Sequence, residues 1–265
     1  MPEQEPERVP FASNHLLRRA AAGDSAPMLL LHGAATGAWI WEDGFSARLN
    51  AGGRETASFT FRRIGRKGGP AGLDDFLAET RAALEVIGRP TLLVAHSLGS
   101  LVAQRLLADP AVLGAAMLAP VPPEGLWWSN LRLAFSDPFL WGDVARMSEP
   151  AGSRQPARNL KSALFAGLTD ADAARHLLHL GGESRAALLE AQSPQPVPPR
   201  ALHRKPVLIL GGEADPLIPA DAVKRCAAWH GTSAQFLANT AHLMMLDSTW
   251  PQVADEILEW AATIG

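Results

Sequence analysis

Residues 91–109, TLLVAHSLGSLVAQRLLAD, constrain the fold more than any other part of the chain. An apolar strand pattern runs into Ala95-His96-Ser97-Leu98-Gly99, and a helical pattern begins at once. A serine on so abrupt a strand-to-helix turn sits in a strained conformation that projects its hydroxyl clear of the backbone, and its neighbours two residues away must be small. Ala95 and Gly99 meet that demand. The pentapeptide alone is a weak signal, but the strand before it and the helix after it make it specific. The competing reading is a serine that caps the first turn of a helix.

The same alternation recurs along the chain. Apolar runs bounded by turn residues predict strands at Met28–Leu31, Thr56–Phe61, Thr91–Ala95, Ala115–Ala119, Val207–Leu210 and Ala234–Ala238. Helical spacing or strong helix formers fill Ala38–Leu49, Leu73–Ile87, Leu98–Ala108, Asp221–Trp229 and Val253–Thr263. Strands joined by crossover helices give one parallel sheet with helices on both faces, an α/β fold. The alternation fails between Val121 and Arg204, where aromatic residues lie among short helical patches closed by the proline-rich Pro194–Pro199. This division predicts a core of residues 1–120 and 205–265 and a helical cap insertion of residues 121–204. The insertion is expected over the carboxyl edge of the sheet, where open α/β sheets bind ligands.

A serine hydroxyl is a poor nucleophile until a base takes its proton, so Ser97 calls for a histidine and a group to orient it. His242 follows the last expected strand in a loop before the final helix, which places it near the same edge as Ser97. His15, His96, His203 and His230 are less suitably placed. His176 and His179 share a helical face, but no carboxylate pair beside them completes a metal site. Asp215 follows the strand that ends at Gly211 and Gly212, in a loop where its carboxylate can hold the second nitrogen of the histidine. Glu213 is the alternative. Acyl transfer also needs donors for the negative charge that develops on the carbonyl oxygen. The turn His32-Gly33-Ala34-Ala35 leaves the Ala34 amide free to supply one, and the Leu98 amide at the start of the helix after Ser97 supplies the other.

With Ser97, Asp215 and His242 in that order, the chain resembles the α/β-hydrolase superfamily over residues 28–120 and 205–263. His32-Gly33 followed by Trp39 and Trp41, and the run from Gly211 to Pro219, are similar to its small bacterial esterase and lipase-like members. The resemblance implies an α/β-hydrolase fold and a serine hydrolase with an acyl-enzyme intermediate, no metal and no cofactor. Ala95 departs from the usual first glycine of the turn. The chain contains no tyrosine, which argues against the epoxide-hydrolase relatives with their cap tyrosines and aspartate nucleophile. A dehalogenase would want a carboxylate in place of Ser97.

Trp127, Trp128, Phe135, Phe139, Trp141 and Phe165 are the candidates to line an apolar substrate pocket. Few charges lie among them, which favours a small or medium neutral ester as substrate. The same triad could cleave a thioester or a carbon–carbon bond, or form a peroxyacid. A receptor that keeps the fold and turns nothing over is the alternative of another class. With 24 Lys and Arg against 27 Asp and Glu the chain has no basic excess for phosphates, so nucleic acid is excluded as a partner. No apolar run reaches the roughly 20 residues that span a bilayer, and residues 1–25 lack the apolar stretch of a secretory signal. A cytoplasmic location is the default expectation. One cysteine, Cys226, permits neither an internal disulfide nor a multi-thiolate metal site.

Overall fold

The computed structural model describes residues 5–12, 14–21, 24–149 and 158–264. Its strands are β1 (Glu7–Phe11), β2 (Asn14–Arg19), β3 (Met28–Leu31), β4 (Thr56–Ser58), β5 (Thr91–His96), β6 (Val112–Leu118), β7 (Val207–Gly212) and β8 (Ala234–Leu237). They form one sheet in the order β1-β2-β4-β3-β5-β6-β7-β8. From β4 to β8 every pairing is parallel, whereas β2 runs antiparallel to both β4 and β1.

Helices α1 (Phe45–Ala51), α2 (Leu73–Ile87) and α3 (Leu98–Leu106) connect the first parallel strands. Between β6 and β7 lie α4 (Trp127–Ser136), α5 (Pro138–Ala145), α6 (Arg158–Leu164), α7 (Asp170–Leu177), α8 (Arg185–Glu190) and α9 (Arg200–His203). Helices α10 (Ala220–Trp229) and α11 (Trp250–Ala262) follow β7 and β8. Side chains alternate across each strand, and the sequence supplies apolar residues on both sides. Leu29, Leu31, Leu93, Ala95, Ala115, Met117 and Ile209 share a core with α2, α3 and α10. Their neighbours Met28, Leu30, Leu92, Val94, Ala116, Leu118, Leu208 and Leu210 share the other with α1, α11 and residues of α4 to α7. Each leucine so buried contributes about 2 kcal/mol of apolar transfer free energy; because both faces are covered, a shift of β5 by one residue would leave its side chains buried but would misplace Ser97.

Three elements differ from the sequence reading. The edge hairpin β1-β2 carries charged residues and Pro10, a composition that an edge strand tolerates and that hides the strand from pattern recognition. Only Phe11 and Leu16 of the pair are fully buried. The helix expected over Ala38–Leu49 is a 3₁₀ turn at Ala38–Trp41 and then α1, because Gly44 between them takes φ +88°. The strand expected to reach Phe61 stops at Ser58, and the Phe61 amide turns inward to donate to His32 Nε2 at 2.9 Å. Among the described residues no helix is long and apolar enough to cross a membrane. Cys226 is buried in α10, where burial raises its thiol pKa.

Two buried histidines make stability depend on acid. His230 accepts on Nδ1 from His203 Nε2 at 3.2 Å and donates from Nε2 to Gln104 Oε1 at 3.1 Å. Burial, helped by His203 and Arg200, pushes His230 down to about 4, and burial with Arg63 nearby pushes His32 down to about 3. Both values lie below that of an exposed histidine, so the folded chain binds fewer protons than the unfolded one. Their contribution is complete above about pH 6.5 and is lost as the pH falls toward the folded values. At pH 5 each is expected to remove about 2 kcal/mol of stability relative to pH 7. Urea midpoints measured at the two pH values check this, and equal midpoints would contradict it.

Candidate active site

Ser97 joins β5 to α3 with φ +47° and ψ −117°, outside the regions that a non-glycine residue favours. Its amide donates to Leu118 O on β6 at 3.0 Å, and its carbonyl accepts from Ser100 N at 2.9 Å and Ser100 Oγ at 2.5 Å. Ser100 Oγ in turn accepts from Val121 N at 3.0 Å, so the strained turn is fastened to the end of β6. Close packing explains the small neighbours. A Cβ on Gly99 would lie 2.4 Å from His32 O and 2.8 Å from Leu31 O, so only glycine lets α3 rest on the end of β3. A Cβ on Gly33 would meet His96 Nδ1 at 2.5 Å and Ser97 Cβ at 3.0 Å.

The loops after β7 and β8 bring the other two expected side chains to Ser97. His242 Nε2 lies 3.1 Å from Ser97 Oγ, and His242 Nδ1 lies 2.8 Å from Asp215 Oδ2. Asp215 is anchored by its other oxygen, which accepts from Leu217 N at 2.8 Å and Ile218 N at 3.1 Å. Glu213, the alternative acid, is exposed. Gly212 permits this arrangement, since a Cβ there would strike Thr240 O at 2.3 Å. The loop of His242 is held from beyond the sheet as well. His242 N donates to Ala163 O at 3.2 Å, and Leu243 N donates to Leu164 O at 3.0 Å. Asp247, fully buried, accepts from Ala166, Gly167, Ala241 and Ser248 amides at 2.7 to 3.0 Å.

His96 and His32 are neutral rings packed beneath the triad. His96 Nε2 donates to His242 O at 3.0 Å, and burial, then the nearby His242, hold His96 well below the ordinary histidine range. His32 Nε2 accepts the Phe61 amide, so its proton resides on Nδ1 and is donated to Gly33 O at 2.7 Å. Thr36 Oγ1 donates to the same carbonyl at 2.9 Å. A trans peptide sets N–H opposite to C=O, so two donors on Gly33 O turn the Ala34 N–H away from them. Neither the Ala34 nor the Leu98 amide donates to any described residue.

The six aromatic side chains expected to line one pocket divide. Phe165, at the end of α6, is buried, with its ring 5.6 Å from that of His176. Trp127, Trp128, Phe135, Phe139 and Trp141 protrude from α4 and α5, between 43% and 83% exposed, and belong to neither core. Periodicity marks an apolar helix face but does not tell which side of it a partner covers. Sequence reasoning also passed over Asp247 and Glu183. Both grip backbone amides, and backbone leaves no pattern to read. Among the described residues no group of three histidine, cysteine or carboxylate side chains is placed to hold a metal ion.

The model of the alpha/beta hydrolase family matches residues 28–256. The chain belongs to the alpha/beta hydrolase family. The fold of this alpha/beta hydrolase is similar to that of an esterase from a Rhodococcus species, with a TM-score of 0.65 and 19% identity over 99% of this chain and 100% of that one. It is likewise similar to a putative non-heme bromoperoxidase from Mycobacterium tuberculosis, with a TM-score of 0.70 and 19% identity over 99% of both chains. A monoacylglycerol lipase from Paleococcus ferrophilus gives 0.64 and 16% identity over 96% of this chain and 100% of that one. No curated protein matches the sequence.

Proposed function

We propose that this alpha/beta hydrolase is a serine hydrolase that cleaves a neutral carboxylic ester of small or medium apolar groups through an acyl-enzyme. The observation that carries the reading is the unbroken relay from Ser97 Oγ to His242 Nε2 at 3.1 Å and from His242 Nδ1 to Asp215 Oδ2 at 2.8 Å. His242 takes the hydroxyl proton as Ser97 Oγ attacks the carbonyl carbon. The oxyanion that forms is held by the amides of Ala34 and Leu98. Its collapse expels the alkoxide, to which His242 returns the proton, and the acyl group stays on Ser97. Water, deprotonated by His242, then attacks the ester of Ser97 and releases the acid. Residues 121–204 act as the cap over this centre.

A neutral substrate is favoured because Leu98 and Leu243, next in sequence to Ser97 and His242, are apolar and buried. The charged pair Arg63 and Glu183, which holds the loop of Ala34 and Ala35, is satisfied within the protein. Incubation with a fluorophosphonate, followed by intact mass and peptide mapping, tests the assignment. One label per chain, confined to Ser97, is expected. Folded protein that takes up no label, or takes it elsewhere, would refute the reading.

A further inference from the structure

The turn that carries the Ala34 amide is unusual at its next residue. Ala35 has φ +58°, a left-handed conformation that costs an alanine free energy and needs outside support. That support comes from residues 181–183, far along the chain in the insertion. The Ala35 amide donates to Glu183 Oε2 at 2.9 Å, and Ala35 O accepts from Gly181 N at 2.9 Å. Glu183 has no exposed side-chain surface, and its Oε1 accepts from Ser184 N at 2.7 Å. Arg63 completes the arrangement. Its Nη2 lies 3.2 Å from Glu183 Oε2 and donates to Thr36 O at 2.6 Å, and its Nη1 donates to Phe61 O at 3.2 Å. One carboxylate and one guanidinium thus join the loop after β3, the loop after β4 and the insertion.

We infer that Glu183 is a positioning residue for acyl transfer, which with Arg63 clamps Ala35 in its left-handed turn and so aims the preceding Ala34 amide at the oxyanion. The inference rests on the acyl-transfer reading above. Two successive peptide planes are fixed from opposite sides: His32 and Thr36 grip the carbonyl of Gly33, and Glu183 grips the amide of Ala35. Release of the second grip lets Ala35 relax toward negative φ, which turns the peptide between Ala34 and Ala35 and, through the Cα of Ala34, shifts the Ala34 amide against its one remaining anchor at Gly33 O. The amide then sits off the position that the oxyanion takes. Burial raises the Glu183 carboxyl, opposed by Arg63 and the two amides that bond it. The guanidinium and those amides are what keep the acceptor in place.

The test is steady-state hydrolysis of p-nitrophenyl acetate by Glu183→Ala, with a trifluoromethyl ketone as a reporter of oxyanion binding. Loss of a whole donor costs about 10²- to 10³-fold in kcat. A misaimed one is expected to cost about 10- to 100-fold, with KM within about threefold of wild type. The inhibition constant of the ketone should weaken by the same factor as kcat, because its hemiketal oxygen occupies the same place. Ala35→Gly added to Glu183→Ala should recover at least about fivefold, since glycine holds a positive φ without support. If Glu183→Ala does not fold, Glu183→Gln and Arg63→Lys take its place, each with a smaller fall in kcat at constant KM. A kcat within about twofold of wild type, or a loss confined to KM or to melting temperature, overturns the clamp while leaving Ser97 in place. Wild-type protein that neither hydrolyses the ester nor takes fluorophosphonate at Ser97 overturns both.

Discussion

Ser97→Ala is expected to lower kcat for ester hydrolysis by about 10⁴- to 10⁶-fold, because in the proposed reaction nucleophile, base and acid act as one unit. The fold should persist. Alanine keeps the Cβ that the turn already accommodates, and the anchors of the turn are the backbone bonds to Leu118 and Ser100. Ser97→Gly separates catalysis from strain. It should be as inactive as the alanine variant yet more stable than wild type by about 1 kcal/mol, since glycine adopts a positive φ freely. Kinetics with p-nitrophenyl acetate and urea unfolding of the three proteins check both statements. An activity loss under about tenfold would remove Ser97 from the reaction, and a less stable glycine variant would mean that the turn stores no strain.

Asp215→Asn carries the second large effect, and the geometry gives its cause. One carboxylate oxygen accepts from the Leu217 and Ile218 amides, and the other faces His242 Nδ1. An asparagine must keep its oxygen on the two backbone donors, so its NH₂ turns toward His242. That side chain then forces Nδ1 to accept, the proton moves to Nε2, and the ring can no longer take a proton from Ser97 Oγ. The expected loss in kcat is about 10⁴-fold, with little change in the fold. A crystal structure of the variant should find the asparagine in this orientation. A tenfold loss or less would mean that another group sets the tautomer of His242.

The strand-turn-helix at Ser97 is legible in the sequence because three physical demands coincide there within a few residues: an apolar strand, small flanking residues and an immediate helix. Also legible are β3, an apolar run bounded by turn residues, and α2, whose bounds follow from its helical spacing. The edge hairpin is not legible, since one half-exposed strand next to another tolerates Arg8, Arg18 and Pro10. Helix α1 is misread where Gly44 interrupts an otherwise helical pattern, since the cost of a single glycine does not announce a break. The triad residues could be matched to one another because loops after parallel strands reach one edge. Glu183 could not, because nothing local marks a carboxylate that will meet the backbone of Ala35 some 150 residues earlier. The aromatic residues of α4 and α5 show the limit in another way. Their character is plain in the sequence, but which of them turn outward depends on how the helices are laid on the sheet.

The four amides on Asp247, together with the bonds from His242 and Leu243 to the end of α6, sew residues 163–167 to the loop of His242. Were this stretch to swing aside, it would drag the imidazole with it and strip two donors from the fully buried carboxylate of Asp247. A path to Ser97 that leaves this seam closed would keep His242 where it stands.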